Sequence, residues 1–209
     1  IKELKPVFTI DEAILAKQYI GEKRIFKQGD FERACRESEH ILKGTFVCSG
    51  QEQFYLESQA ALAHPGEHGD IHIHSSTQNP SEIQTVVAEA LGIGNHQVVC
   101  LCKRMGGGFG GKETQAAIPA VMAALVASRT GRPARVAYTK DDDMRSTGKR
   151  HPYKIHYKAA FTSKGKITGV KFDIYSNGGA AADLSGSVLE RTLFHSDNAY
   201  YIPNLIFNG

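Results

Sequence analysis

Residues 104–113 read Arg-Met-Gly-Gly-Gly-Phe-Gly-Gly-Lys-Glu, so that glycine fills five of the six positions from Gly106 to Gly111. Glycine adopts backbone angles that other residues avoid, and it lets the main chain approach a ligand closely. The apolar run at 97–102 predicts a buried strand before this loop, and the alanine-rich stretch at 113–129 predicts a helix after it. This order of elements directs backbone N–H groups at an anion, which first suggests a phosphorylated ligand.

A bare glycine run does not by itself identify a ligand. The loop is not a nucleotide-binding P-loop, because Lys112 is followed by Glu113 where that motif has serine or threonine. A tight turn in which the glycines serve only close packing is an equally good interpretation. The neighbouring residues must decide between the two.

Composition restricts the class of protein. The 209 residues are 41% hydrophobic, enough for one large domain or two small ones. The formal net charge is +3, with acidic and basic residues mixed along the chain, which argues against a nucleic-acid or membrane partner. No apolar run approaches the roughly 20 residues of a membrane helix, and no signal pattern is visible, so we expect a cytoplasmic protein.

The cysteines and one pair of histidines are possible metal ligands, but their spacing favours ordinary structural roles. None of the cysteines has the C-x-x-C spacing of zinc or iron–sulfur sites, so buried free thiols are expected. His72 and His74 alternate with Ile71 and Ile73, which predicts a strand with one polar face. Without a third ligand at a matching spacing, a solvated face is the better interpretation of the histidine pair. The cysteines are Cys35, Cys48, Cys100 and Cys102.

A strand-to-helix corner is predicted around Gln78. Asn79 is a candidate N-cap, Pro80 suits the first helical position, and Glu82 completes a pattern like a capping box. Apolar residues then follow at helical spacing until Gly92 ends the helix. An amide at such a corner can aim at a ligand or bond the neighbouring loop, and from the residues alone the second is the more common case.

The remaining segments predict an α+β fold with mixed sheets. Pro119 means that the helix after the glycine loop is either kinked or begins near Ile118. Residues 51–57 have no clear period and stay unassigned. The other expected elements are short helices from Thr9, after Asp30, from residue 141 and at 188–195, strands at 40–48, 57–63 and 134–139, a hairpin of 153–161 with 167–176, and a final strand near residue 206.

Several motifs together resemble the molybdopterin-binding region of the xanthine dehydrogenase family, the molybdenum hydroxylases. They occur in the family's order and span nearly the whole chain. The resemblance implies that residues 1–209 are part of the molybdenum domain, truncated at both ends, with that domain's repeated α/β units. The motifs are QEQFYLE at 51–57, STQN at 76–79, KRMGGGFGGKET at 103–114, TGRP at 130–133 and ERTLFHSDN at 190–198.

The resemblance also implies roles for four residues. Gln78 is expected to approach the oxo ligand of molybdenum with its amide, while Phe109 and Gly110 border the cofactor. Glu113 is expected to hydrogen-bond a purine, since aldehyde-oxidising relatives typically carry an apolar residue there. No side chain of this chain is expected to ligate the metal, which the pterin holds.

The activity implied is hydroxylation of hypoxanthine or xanthine with oxygen taken from water. The general base belongs to motifs outside this chain, and so do the FAD and [2Fe-2S] modules. We therefore expect the chain to join the rest of the molybdenum domain and these modules in an oligomeric enzyme, and to be inactive alone. Two alternatives remain: the same cofactor role in a relative that oxidises aldehydes or other N-heterocycles, or a non-catalytic assembly module.

Overall fold

The computed structural model describes residues 6–209 and divides the chain into two compact units. The first unit runs to Gln51 and resumes from His151 to Gly209, and the second unit is Glu52–Arg150. Each unit is built on its own β-sheet.

Helices and strands are interspersed along the chain, with some strands following one another directly. The helices are α1 (Ile10–Ala16), α2 (Phe31–Glu37), α3 (Pro80–Leu91), α4 (Ala117–Thr130), α5 (Lys140–Ser146) and α6 (Ser185–His195). The strands are β1 (Ile25–Gln28), β2 (His40–Cys48), β3 (Ala60–Pro65), β4 (Ile71–Ser75), β5 (Val98–Leu101), β6 (Ala134–Ala137), β7 (Tyr153–Phe161), β8 (Ile167–Ser176) and β9 (Leu205–Asn208).

The first unit contains a five-stranded mixed sheet in the order β1-β9-β8-β7-β2. Strands β7 and β8 form the predicted hairpin, in which Tyr157 lies opposite Phe172. Strand β9 joins β8 in parallel, so that Phe207 also lies beside Phe172. Phe207 is buried and packs in one cluster with Leu193 of α6, so this helix covers the apolar face of the sheet.

The second unit contains a four-stranded sheet in the order β5-β4-β3-β6, and it carries the glycine loop. Strands β4 and β5 are parallel, while β3 is antiparallel to both of its neighbours. Helices α3 and α4 pack on one face of this sheet. Their buried residues share a core with Ala63, Ile73 and Val98. The mixed sheets confirm the predicted fold class.

The corner between β4 and α3 has the predicted cap. Asn79 accepts a hydrogen bond from the N–H of Glu82 at 3.3 Å, and its amide donates to the Glu82 carboxylate at 3.1 Å. Pro80 is the first helical residue, and Gly92 ends the helix in a left-handed conformation. The corner therefore fixes the backbone direction just after Gln78.

Replacing Asn79 by alanine should lower the free energy of unfolding by about 1 kcal/mol, because one N–H of the first turn loses its partner. Urea unfolding of the variant chain measures this loss. Ser81→Ala, inside the same turn, is the matched control, and an equal loss there would contradict the capping assignment.

Several expected boundaries were wrong. Helix α4 begins at Ala117 and not at Glu113, and Pro119 sits in its first turn, where a missing N–H costs nothing. This confirms the option of an irregular lead-in. The strand expected at 57–63 is Ala60–Pro65, and the one expected at 134–139 ends at Ala137, since Thr139 caps α5.

The side chains proposed as possible metal ligands are only partly exposed. All four cysteines are free, as predicted, but each is half-buried and not fully buried. His72 and His74 are also half-buried, because the ring of His64 stacks with both, at centroid distances of 5.2 and 6.1 Å. Their strand face is thus less solvated than expected. Within residues 6–209, no helix is long and apolar enough to cross a membrane.

Candidate functional site

The glycine loop ends in a tight turn at Phe109 and Gly110. The N–H of Gly111 donates to the carbonyl oxygen of Gly108 at 2.7 Å. Both central residues have positive φ, 51° for Phe109 and 85° for Gly110, as in a type I′ turn. A non-glycine residue with positive φ is strained, so the structure holds Phe109 in this conformation at a cost. The side chain of Phe109 is 75% exposed. The turn therefore holds an aromatic side chain out from the surface.

Packing requires two other glycines of the loop, Gly106 and Gly111, while a third, Gly108, faces the side chain of Gln78. A Cβ atom on Gly106 would lie 2.5 Å from Cβ of Glu57, and one on Gly108 would lie 2.5 Å from Oε1 of Gln78. At Gly111 a Cβ would lie 2.7 Å from the Tyr55 ring. At Gly110, by contrast, no heavy atom of the described chain lies within 4 Å of that position. The packing interpretation thus holds for the base of the loop, while its tip stays open.

Gln78 fastens this loop to the β4–α3 corner. Its Oε1 accepts hydrogen bonds from the N–H of Gly110 at 3.0 Å and of Lys112 at 3.2 Å. The backbone N–H of Gln78 donates to the Lys112 carbonyl oxygen at 2.8 Å. Because these bonds use the carbonyl end of the exposed amide, Nε2 keeps both donors without a partner among residues 6–209. Gln78 bonds the loop and can still serve a ligand.

Lys112 is the buried anchor of the loop. Its side chain is fully buried, and Nζ donates to the Glu57 carbonyl oxygen at 2.6 Å and to Ser76 Oγ at 2.8 Å. Nζ also lies 3.4 Å from Glu57 Oε2 and 4.6 Å from the centre of the Tyr55 ring. Burial lowers the pKa of Lys112, although the Glu57 carboxylate works in the opposite direction.

Glu57 links the loop, the corner and the buried lysine. Its Oε2 accepts from the N–H of Gly106 at 2.7 Å and from Ser76 Oγ at 2.7 Å. Partial burial acts to raise the pKa of this carboxyl group, but these bonds and Lys112 outweigh it and bring the pKa below its ordinary value. Glu57 is therefore ionised at neutral pH and closes the base of the loop.

A second buried network supports the loop from α5. Asp143 accepts from the Tyr55 hydroxyl at 2.5 Å and from the N–H of Gln59 at 2.7 Å. Gln59 Nε2 donates to the carbonyl oxygen of Gly111 at 2.8 Å. Burial, followed by the bond to Asp143, raises the pKa of Tyr55 to about 12. Tyr55 therefore stays protonated and acts as a structural donor.

The sequence did not predict these supporting residues. Tyr55 and Glu57 lie in the segment that had no period, and Asp143 was assigned only to the short helix expected from residue 141. A clue was present in the sequence, since acidic and amide residues flank two adjacent aromatic residues at 51–57 without a regular period. Such a segment is typical of one that packs against a loop.

Glu113 follows the anchored part of the loop. Its side chain is half-buried, and it stands next to Lys112, whose carbonyl oxygen bonds the backbone of Gln78. Within the described part of the chain its carboxylate makes no hydrogen bond or ion pair. Phe109, Gly110 and Glu113 thus lie in or directly after the glycine loop, and Gln78 lies in the corner that is bonded to it.

The predicted order of strand, glycine loop and helix start was wrong at its last step. Helix α4 begins six residues after Gly111, and its N-cap, Ala116, is buried. The glycine loop therefore does not lead into the N-terminus of a helix. Any anion at the loop would meet single backbone N–H groups and the Gln78 amide, without the positive end of α4.

The model of the molybdopterin cofactor-binding domain family matches residues 16–209, nearly the whole chain. The chain belongs to this family. Among its relatives, the xanthine dehydrogenase of Calliphora vicina is 47% identical over all of the chain, and the xanthine dehydrogenase/oxidase of Gallus gallus is 46% identical. The chain spans only 16% and 15% of these two proteins. It therefore matches only a part of each of these relatives.

Solved structures of the family share the fold. The aldehyde oxidoreductase of Desulfovibrio gigas superposes with a TM-score of 0.81 at 26% identity, over 90% of this chain and 21% of that protein. The aldehyde oxidoreductase of Desulfovibrio desulfuricans gives a TM-score of 0.84 at 22% identity, over 99% of this chain and 24% of that one. At 22% identity the second match shows the fold alone.

The residues at the loop tip fit a molybdopterin cofactor. Space lies open beside Gly110, a large planar side chain stands next to it at Phe109, and the Gln78 amide presents two donors. A pterin needs flat contact surfaces, and an oxo group on the metal needs a donor. Residues 6–209 contain no group of three or more histidine, cysteine, aspartate or glutamate side chains suited to hold a metal.

Proposed function

We propose that Gln78, Phe109 and Gly110 border the molybdopterin cofactor of a xanthine dehydrogenase-like enzyme. The observation that supports this most is that only the oxygen end of the Gln78 side-chain amide is bonded within the described chain. Oε1 is held by two backbone N–H groups of the loop, so Nε2 is fixed in direction and free to donate. Bound there, the cofactor would supply the redox chemistry, and the chain would supply position and hydrogen bonding.

Glu113 is proposed to bind the substrate, a purine such as hypoxanthine or xanthine. A half-buried carboxylate without an intramolecular partner is a good acceptor for the ring N–H groups of such a heterocycle. The similar proteins at 46% and 47% identity are named xanthine dehydrogenases, which favours this substrate class. The product oxygen is proposed to come from water.

The chain is proposed to work as one part of a larger molybdenum domain. The general base, the iron–sulfur clusters and FAD are assigned to other parts of the full-length protein, which we expect to be oligomeric. The residues described above provide one side of a cofactor site. We therefore expect no xanthine turnover from residues 1–209 alone.

Replacing Glu113 by valine in the full-length protein tests the substrate assignment. We expect kcat/KM for xanthine to fall about 100-fold or more, because a buried hydrogen bond from the purine loses its acceptor. Steady-state kinetics with xanthine and with an aromatic aldehyde measure the change. Glu89→Val, on the exposed side of α3, is the matched control. Unchanged purine turnover in the Glu113 variant would contradict the assignment.

A further inference from the structure

One face of the four-stranded sheet in the second unit carries no helix of that unit. Both α3 and α4 share their core with alternate residues of the strands, such as Ala63 and Ile73. Residues between these positions point to the opposite face, since side chains alternate along a strand. There Leu62 lies between Arg135 and His74, and His74 lies beside Leu101. We call this cross-strand row, with Lys103 and Arg104 after β5, the outer face.

The outer face is apolar at its centre. Leu62 and Leu101 are 37% and 41% exposed, although both lie in regular strands. The surface beside them forms a depression of about 330 Å³, which Leu62, His74 and Leu101 help to line. Exposed leucines that line a concave surface are typical of a site that another polypeptide segment covers.

The rim of the depression is strongly basic. Lys103, Arg104 and Arg135 line it, and none of them forms an ion pair within residues 6–209. The acidic residue in the lining is Glu57, whose Oε2 already binds the N–H of Gly106, Ser76 Oγ and Lys112 Nζ. Three cations without a partner around an apolar centre are complementary to an acidic segment with apolar side chains.

We propose that the outer face binds an acidic segment of the same polypeptide that lies outside residues 1–209. Two observations select this occupant. The exposed cations are complementary to carboxylates, and the relatives that match this chain are about six times as long, since it spans 15–16% of them. An intramolecular segment is also present at high effective concentration, so modest contacts are enough to hold it. This inference does not depend on the cofactor residues.

Zero-length carbodiimide coupling of the full-length protein tests the proposal. The reagent joins an amine to a carboxylate only where the two are in contact. We expect Lys103 to couple to an aspartate or glutamate outside residues 1–209, and peptide mass spectrometry identifies the pair. A mixture of isotopically light and heavy protein separates coupling within one molecule from coupling between copies.

A variant makes the test specific to the outer face. Arg135→Glu places a carboxylate in the depression, so the acidic segment is repelled and the Lys103 coupling should fall several-fold. The reactions of Lys166, in the β7–β8 turn, serve as the control and should not change. Coupling of Lys103 only to residues 1–209, only between copies, or with a yield unaffected by Arg135→Glu would overturn the proposal, as would no coupling at Lys103.

Discussion

Replacing Lys112 by alanine is expected to lower the free energy of unfolding of the second unit by about 3–5 kcal/mol. The side chain is fully buried, so its loss leaves a cavity in place of three methylene groups and the ammonium group. It also leaves the Glu57 carbonyl oxygen and Ser76 Oγ without the donor that now lies 2.6 and 2.8 Å away. Surface substitutions rarely cost this much stability, because they leave no buried polar group without a partner.

A second variant separates the contribution of charge from that of volume. Lys112→Met fills most of the space and removes the cost of burying an ammonium group, so a smaller loss of about 1–2 kcal/mol is expected. Urea unfolding of the purified chain measures both losses. Hydrogen exchange at the backbone amides of Ala117–Thr130 measures them within the second unit. Lys166→Ala in the exposed hairpin turn is the control. If Lys112→Ala cost no more than this control, the anchor assignment would be wrong.

Gly108→Ala should lower the molybdenum content or turnover of the full-length protein while leaving the fold intact. The new Cβ would lie 2.5 Å from Oε1 of Gln78, at the end of a flexible side chain that can move. We expect little change in stability but a displaced amide, which would release the N–H groups of Gly110 and Lys112. Residues that orient a metal site typically contribute 10- to 100-fold, so molybdenum content or turnover should fall by about that factor.

The measurement for Gly108→Ala combines metal analysis with steady-state kinetics of the full-length protein. Gly186→Ala is the matched control, because no heavy atom lies within 4 Å of its Cβ position and it sits in α6. A Gly108 variant that keeps full molybdenum content and normal turnover would show that the orientation of Gln78 does not matter to the cofactor.

The pH dependence of stability should also reflect the loop. Glu57 has a lowered pKa in the folded protein, so its contribution is present above the ordinary pKa of glutamate, 4.5. It is lost as the pH falls through the lower folded value. Thermal unfolding between about pH 6 and pH 3 measures this, and Glu57→Gln should flatten the decline relative to the unchanged chain. An identical decline in both proteins would contradict the role given to this carboxylate.

Local sequence patterns predicted the elements whose cause is local. The Asn79 cap, the Gly92 stop and the β7–β8 hairpin were confirmed, because capping and strand alternation depend on residues close in sequence. The late start of the helix, one of the two options that Pro119 suggested, was also confirmed. The motifs that resemble the molybdenum hydroxylases supplied the family, which the match over residues 16–209 bears out.

The supports of the loop depend on distant residues, and no periodic pattern encodes them. Tyr55 and Asp143 are separated by 88 residues, and Glu57 and Lys112 by 55. A buried lysine is also unusual, so composition favours placing Lys112 at the surface. Its burial follows from the tertiary contacts of Glu57 and Ser76, which can be read only from the structure.

Crystals of the full-length enzyme, measured at the molybdenum absorption edge, test the central claim most directly. The anomalous signal locates the metal without any assumption about the surrounding chain. We predict a peak next to Nε2 of Gln78, separated from it by a single oxo ligand, with the pterin density against Phe109 and Gly110. A peak on the other side of the second unit, with no cofactor density touching residues 106–111, would contradict the account.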